Sequence, residues 1–213
     1  MNSRGASGSI CGTLLLLAFG LWVPAPARAQ TEVPLDPKDS FVRFVGESFL
    51  HNFEGKAGSF AGTAVFDAAS ASTPSLQHAT LNFKTASLTT FHAERDRKMD
   101  DWLGIPLHPS ASFRLDSVKA IEGGYLKATA DHPARYQVTG TFLLNDKGEP
   151  LSGEAQAWTE NGKLIVTGKI DVDTLKHGLP QIREGFMTVG TKVHVEYRFA
   201  FALPSGTGTG TGT

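Results

Sequence analysis

The sequence predicts an all-β protein: an antiparallel up-and-down barrel of eight strands with one short helical insert near residues 92–103. Two observations support this prediction. Segments in which apolar and polar residues alternate recur along the chain, as expected for strands with one buried face. Short turns separate them, and Asn161-Gly162 is the strongest hairpin signal because a type I′ turn needs positive φ at both residues.

A sheet that is apolar on one face has to close on itself or stack on a second sheet. Consecutive hairpins favour closure, which also removes the exposed edges. We therefore expect a barrel, with a β-sandwich as the alternative. In the barrel, the turn at Gly123-Gly124 leads into a further strand over residues 125–130.

The first 29 residues have the pattern of a secretory signal peptide. Arg4 gives a positive start, residues 14–23 form an apolar stretch, and an Ala-Arg-Ala motif ends at Ala29. The stretch is short for a membrane span, so we expect cleavage after Ala29, a periplasmic protein and no stable span afterwards. The predicted organisation is a signal peptide at 1–29, one β-barrel domain at 30–204 and a disordered Thr/Gly tail at 205–213.

Charge and cysteine content exclude several classes of function. The formal net charge is −1, which argues against nucleic acid as a partner because such proteins usually carry a basic patch. The single cysteine, Cys11, lies in the predicted signal peptide, so the mature chain would have neither a disulfide nor a thiol nucleophile. The sequence also has no glycine-rich phosphate loop, no nucleophile elbow and no His-Glu-x-x-His motif.

The apolar strand faces would line the barrel interior, which at eight strands is either filled or holds one small ligand. Gly62, Gly140 and Gly168 lie on these faces beside phenylalanines and favour a cavity, although such glycines could instead only let strands bend. An apolar cavity would take a hydrocarbon chain, favoured by about 25 cal/mol per Å² of apolar surface removed from water. The predicted lining residues are Phe44, Phe66, Leu81, Phe83, Phe113, Leu115, Val138, Phe142, Leu144, Val166, Tyr197 and Phe199.

Residues 91–102 form the densest charge run and the only good helix former of the mature chain. Glu94 and Lys98 make an i,i+4 pair with the acid first, so we expect a charged face in solvent, with the apolar residues packed on the barrel. Catalysis is not predicted, because no nucleophile or base accompanies the acids. The predicted residues of the barrel mouth or lid are Arg95, Asp96, Met99 and Trp102.

Three histidines offer a different type of site. Imidazole suits zinc, copper or haem iron, and His51, His92 and His108 could together form such a site. No closely spaced histidine pair supports it, so we predict no metal and keep these residues as the weaker alternative.

Several short motifs, in the same order along the chain, resemble the YceI-like family. Ala93-Glu94-Arg95-Asp96, followed after a helical segment by Pro-Ser-Ala-Ser-Phe at 109–113, is similar to the core motif of that family. Residues 102–108 depart from the family pattern, and the ligand preference of this protein would lie there. Further similar segments are 53–67, 138–142, 173–179 and 189–193.

The resemblance implies an exported lipocalin-like barrel that binds polyisoprenoid chains. We therefore predict a non-catalytic periplasmic binding protein for an apolar-chain lipid, either a polyisoprenoid or an isoprenoid-quinone-like amphiphile. A bound isoprenoid lipid is the expected ligand, with no cofactor and with a homodimer left open. The alternatives are a metal- or haem-linked redox accessory protein and a stress or scaffold protein with a filled barrel.

Overall fold

The computed structural model describes residues 30–48, 52–67, 75–184 and 187–203, so the predicted signal peptide and the Thr/Gly tail lie outside the described residues. The helix α1 spans Ala93–Leu103, and a 3₁₀ turn spans Thr85–Ser87. The strands are β1 (Gln30–Pro34), β2 (Phe41–Ser48), β3 (Phe53–Ala57), β4 (Phe60–Asp67), β5 (Ser75–Lys84), β6 (Leu88–Thr89), β7 (Ser110–Glu122), β8 (Ala134–Leu144), β9 (Lys147–Glu160), β10 (Lys163–Asp173), β11 (Arg183–Glu184) and β12 (Met187–Ala202).

The described strands form one antiparallel sheet in the order β1, β4, β5, β7, β8, β9, β10, β12, β2, β3 and β6, with β11 paired to β12. Three bent strands are each divided into two halves, β1 and β2, β3 and β4, and β5 and β6. The halves follow each other after a short break, and the two halves of one bent strand pair with the two halves of the next: β1 with β4 and β2 with β3, then β4 with β5 and β3 with β6. Counted in this way, the described residues contain eight barrel strands in chain order, and the predicted fold class is confirmed.

The sheet closes along β12. This strand pairs with β10 on one side and with β2 on the other, and Leu35 bridges to Phe201 near its end. The predicted hairpin turn is present: Asn161 and Gly162 have φ of 50° and 73° between β9 and β10. Asn145 begins an equivalent turn between β8 and β9, where Asn145 and Asp146 have φ of 51° and 57°. Positive φ at both central residues matches the twist of the flanking strands.

The barrel has two different ends. At the helix end, β6 leads into α1 and α1 into β7, and the segment from 174 to 182 connects β10 to β11. The far end carries the loop 123–133 and the Asn161-Gly162 turn. Fully buried apolar side chains, such as Phe66, Leu164 and Ala200, lie on strand segments near the far end.

The predicted strand over residues 125–130 is wrong. Gly123 has φ of 71°, and the chain turns at once rather than continuing the sheet. The backbone N–H of Tyr125 donates to the hydroxyl of Tyr136 at 3.0 Å, and its carbonyl accepts from the hydroxyl of Thr159 at 3.1 Å. These contacts hold the loop against β8 and β9. The segment therefore covers the far end of the barrel, although its sequence resembles that of a strand.

Aromatic rings lie over glycines of the adjacent strand. A Cβ atom at Gly140 on β8 would overlap the ring of Phe113 on β7, and one at Gly168 on β10 would overlap the ring of Tyr197 on β12. Each glycine therefore accommodates a ring of its neighbour, which fills the place of the missing side chain. The large rings are thus held against the wall of the barrel.

Candidate functional site

A cavity of about 1220 Å³ occupies the barrel interior. Most ligand pockets have volumes of roughly 300–1,000 Å³, so this cavity suits a ligand larger than an ordinary small molecule. Its wall consists mainly of aliphatic and aromatic side chains from the strands. The interior is therefore hollow, as expected for a ligand-holding barrel rather than for a filled one.

The predicted lining residues lie around this cavity with one exception. Phe66 is fully buried and does not line it, because its side chain is enclosed among the buried residues of the core cluster. Alternation in the sequence predicts that this side chain faces inward, but it does not show whether neighbouring side chains separate it from the cavity. The residues that do line the cavity are Phe44, Leu81, Phe83, Phe113, Leu115, Val138, Phe142, Leu144, Val166, Tyr197 and Phe199.

The expected role of the glycines needs correction. None of Gly62, Gly140 and Gly168 lines the cavity. The space exists because rings such as Phe113 and Tyr197 lie over glycines along the wall instead of crossing the interior. The glycines thus contribute indirectly, through the rings that cover them.

A series of aromatic contacts runs through the interior. Tyr197 stacks on Phe199 with centroids 5.0 Å apart, and Phe60 contacts both Phe199 and Phe83 at 6.3 Å and 6.0 Å. Phe83 in turn meets Phe142 at 6.5 Å. Burial raises the pKa of Tyr197 to about 12, so its hydroxyl stays neutral at physiological pH. Apart from Arg183 on the short strand β11, the strand-built part of the wall is uncharged and favours an apolar chain.

One face of α1 covers the helix end of the cavity. Arg95, Lys98, Met99 and Trp102 all line it, at the i, i+3, i+4 and i+7 spacing of a single helical face. The helix begins where the side chain of His92 accepts a hydrogen bond from the backbone N–H of Arg95, at 3.4 Å. The C-cap glycine that ends α1 has left-handed backbone angles. The expected Glu94–Lys98 ion pair is present at 3.8 Å, but Arg95 and Lys98 line the cavity, so the expectation of a charged face in solvent holds only in part.

Asp96 lies at the mouth but does not line the cavity. Its carboxylate accepts hydrogen bonds from the hydroxyl of Thr89 at 2.7 Å and from the backbone N–H and hydroxyl of Thr90. Burial alone would raise the pKa of Asp96, but these hydrogen bonds hold it below its usual value. Asp96 therefore anchors the helix to the end of β6 and does not face a ligand.

Three contacts hold the side chain of Arg95 at the mouth. Its Nε donates to the hydroxyl of Thr90 at 2.8 Å, and its Nη2 donates to the carbonyl of Thr90 at 2.9 Å. The guanidinium also lies over the ring of Phe53, 5.2 Å from its centroid. These contacts fix the side chain beside the cavity that it lines.

Sequence reasoning missed the lining residues that come from loops. At the helix end, residues 180–183 line the cavity, and at the far end Tyr125, Leu126 and Lys127 do so. Several strand residues, including Val193 and Val195, also belong to the lining, and their alternation on β12 is a signal that could have identified them. The loop residues have no such signal, because their positions depend on contacts distant in sequence.

The alternative histidine site is not assembled by the residues described. His51 lies outside them, His92 caps α1, and the Nδ1 of His108 lies 2.9 Å from a carboxylate oxygen of Asp146. Neither His92 nor His108 lines the cavity. Within the described ranges, no group of three or more His, Cys, Asp or Glu side chains could hold a metal ion.

Comparisons with known proteins agree with this architecture. The profile of the YceI-like domain family matches residues 34–201, which confirms the resemblance seen in the motifs. A UPF0312 protein of Pseudomonas savastanoi pv. phaseolicola is 34% identical over 148 residues, covering 65% of this chain and 69% of the relative. No helix in the described part of the chain has the length and apolar character needed to cross a membrane.

Two solved structures are similar in fold. Burkholderia cenocepacia BcnA superposes with a TM-score of 0.62 at 18% identity, covering 78% of this chain and 98% of that one. A polyisoprenoid binding domain from Saccharophagus degradans, implicated in plant cell wall breakdown, gives a TM-score of 0.60 at 14% identity, covering 84% and 100% of the two chains.

Proposed function

Since the chain belongs to the YceI-like domain family, we propose that it is a non-catalytic binding protein for an apolar-chain lipid, either a polyisoprenoid or an isoprenoid-quinone-like amphiphile. The observation that carries this proposal is the apolar cavity of about 1220 Å³ inside the barrel. The similar fold of a domain named for polyisoprenoid binding adds support.

Apolar burial supplies the binding energy. Each methylene group removed from water contributes about 0.8 kcal/mol, so a long hydrocarbon chain needs few polar contacts for tight binding. A preformed cavity adds to the affinity, because little of this energy is spent on ordering the protein. The lipid tail would lie among Phe83, Phe142 and Tyr197, with the polar head at the helix end.

We also propose that the protein acts in the periplasm, released from a signal peptide after Ala29. The support is the positive start, the short apolar stretch and the small-residue cleavage motif of residues 1–29. The periplasm is an aqueous compartment between two membranes, and a hydrocarbon chain would need a binding protein to cross it because it dissolves poorly in water. Recovery of the protein in periplasmic extracts tests the location, and its absence from them would contradict it. Amino-terminal sequencing of the recovered protein tests the cleavage site, and a first residue other than Gln30 would contradict cleavage after Ala29.

Mass spectrometry of protein purified without detergent tests lipid binding directly. We expect a co-purifying lipid with an apolar chain in the wild type and its loss in Phe142→Arg, which places a charge in the lining. The matched control is Leu143→Arg, the next residue on β8, whose side chain is 40% exposed. The proposal fails if folded Phe142→Arg retains as much lipid as Leu143→Arg, or if the wild type neither carries lipid nor takes up added polyprenols.

A further inference from the structure

The charges that line the cavity are all of one sign. Among the described residues, its charged lining side chains are Arg95, Lys98, Lys127 and Arg183, and no Asp or Glu contributes. Three of these cations lie at the helix end, whereas Lys127 belongs to the far-end loop. Positive charges beside a low-dielectric wall raise the local potential and attract anions.

This bias arises from the way in which α1 is oriented. The helix contains the acids Glu94, Asp96, Asp100 and Asp101 as well as the cations, so its overall charge is not basic. None of these acids lines the cavity. Asp96 in particular is occupied by the hydrogen bonds from Thr89 and Thr90.

The lining face of α1 is itself divided. Arg95 and Lys98 lie in its first half, and Met99, Trp102 and Leu103 in its second half. A ligand at this mouth would therefore meet cations on one side and apolar side chains on the other. This arrangement suits an amphiphile with a negative head and an apolar tail.

The guanidinium group of Arg95 has a geometry that suits binding of an oxyanion. The guanidinium group has five N–H donors in a planar fork, and the two hydrogen bonds to Thr90 involve only its Nε and Nη2 atoms. Both acceptors are oxygens of Thr90, so these two bonds use two of the five N–H groups; the Asp96 carboxylate, which accepts from the same Thr90 hydroxyl, also interacts with the Arg95 charge. A planar fork held in this way matches carboxylate or phosphate oxygens.

Arg183 lies on the other cover of the mouth. It begins β11, which pairs with the start of β12, and its Nη2 donates to the side-chain carbonyl of Gln181 at 3.3 Å. Gln181 also lines the cavity, and its amide donates to the carbonyl of Val189 at 3.2 Å. The two arginines thus approach the mouth from different segments, both positioned by neutral acceptors.

We propose that the helix-end mouth selects lipids with an oxyanion head group, a carboxylate or a phosphate monoester, bound by Arg95 and Arg183. This inference rests on the proposed lipid-binding function and adds the chemical class of the head group. Quinone-like and alcohol head groups, which are neutral, would bind through their tails alone.

Ligands with one tail and different heads test the selection. Quenching of Trp102 fluorescence would be titrated with geranylgeranyl phosphate, geranylgeraniol and geranylgeranylamine, with inorganic phosphate as a competitor. We expect the phosphate to bind at least about 10-fold more tightly than the alcohol, the gain of one charge-assisted hydrogen bond, and the amine to bind most weakly. Inorganic phosphate alone should compete poorly, because it lacks the tail.

The outcomes separate the two proposals. If the alcohol binds as tightly as the phosphate ester, the head-group inference is overturned and the lipid-binding function stands. If none of the three amphiphiles binds, the lipid-binding function itself fails. If millimolar inorganic phosphate displaces the ester, the site is one for free anions and the inference is overturned.

Variants locate the site within the cavity. Arg95→Gln combined with Arg183→Gln should abolish the preference for phosphate over alcohol, measured as the ratio of the two affinities in a variant whose circular dichroism spectrum shows that it is folded. Lys127→Gln is the matched control, since it removes a lining cation at the far end and should keep the preference. Loss of the preference in Lys127→Gln, or its retention in the folded double variant, would overturn the assignment.

Discussion

The indole Nε1 of Trp102 donates a hydrogen bond to the carbonyl oxygen of Pro180 at 2.8 Å, across 78 positions of sequence. This bond joins the two covers of the cavity mouth, α1 and the segment that leads into β11. Both residues line the cavity. Any lipid that leaves through the helix end would have to pass beside this contact, so the bond is placed to influence how fast a ligand exchanges.

Trp102→Phe should speed ligand exchange and lower the free energy of unfolding only slightly. The change removes the N–H donor and keeps most of the apolar ring, and one hydrogen bond contributes about 1 kcal/mol. We expect a several-fold faster transfer of bound lipid to acceptor vesicles and only a small fall in the free energy of unfolding. Trp158→Phe is the control, because it removes an indole donor that bonds to Glu160 and does not line the cavity. Equal transfer rates in the two variants would contradict a role for the contact.

Gly140→Ala should both destabilise the barrel and reduce its capacity. The added Cβ would overlap the ring of Phe113 and approach the backbone carbonyl of Arg114, and such overpacking costs about 1–3 kcal/mol. Because Phe113 lines the cavity, a ring displaced toward it would take up space for the ligand, so we expect less bound lipid per protein as well as a lower urea midpoint. Gly124→Ala, where nothing lies within 4 Å, should leave both quantities unchanged.

Asp96→Asn should loosen the attachment of α1. The carboxylate accepts hydrogen bonds from Thr89 and Thr90, and the amide that replaces it has one acceptor oxygen fewer and no charge. Hydrogen bonds to a charged group contribute about 1.5–3 kcal/mol, so a fall of the unfolding free energy by roughly that amount is expected in urea titrations at neutral pH. Because the folded-state pKa of Asp96 is lowered, the stabilisation is present above its usual pKa and is lost as the pH falls through the folded-state value.

The same substitution at Asp101 is the control for Asp96. Asp101 lies on the exposed face of α1, in the same helix and with the same change of charge. We expect Asp101→Asn to alter stability by less than about 0.5 kcal/mol, as is usual for surface positions. Equal losses in the two variants would show that the helix responds to charge in general and that the Thr89–Thr90 contact is not specific.

His194 should stabilise the fold at low pH and less so at high pH, which is the opposite of the pH dependence expected for Asp96. Its ring lies between Asp171 on β10, at 2.6 Å, and Glu47 on β2, at 3.1 Å, so it connects the three strands at the closing seam of the barrel. The hydrogen bond with Asp171, followed by that with Glu47, raises the pKa of His194 above its usual value. The stabilisation is therefore fully present below the unfolded-state pKa of about 6.5 and is lost as the pH rises through the higher folded-state value.

Thermal unfolding measured between pH 6 and pH 9 would test the role of His194 at the closing seam. His194→Gln should have a lower melting temperature than the wild type at pH 6, and the difference should shrink steadily toward pH 9. His132→Gln, in the far-end loop, serves as the control and should show no such trend. A difference that stays constant with pH, or grows as the pH rises, would contradict the role of the protonated ring.

Much of the fold follows from local patterns in the sequence. Alternation of apolar and polar residues predicts the strands, Asn161-Gly162 predicts its hairpin, and the charge run predicts α1. These features depend on neighbours within a few positions, so a single sequence is enough to recognise them. The face of the helix toward the cavity also follows, because Met99 and Trp102 lie three positions apart.

The tertiary structure alone decided which of these residues meet. Phe66 is enclosed among other core side chains and does not reach the cavity, and the far-end loop replaces a predicted strand because Tyr136 and Thr159 hold Tyr125. The relation of Phe113 to Gly140 depends on the register between two strands, and the approach of Arg183 to the helix end depends on closure of the whole barrel. The sequence by itself determined the faces of the elements, since the periods of strand and helix are local. The shape of the cavity and the sign of its charges were decided by contacts between segments that are distant in sequence. Local patterns do not reveal which distant segments pack together or how strongly.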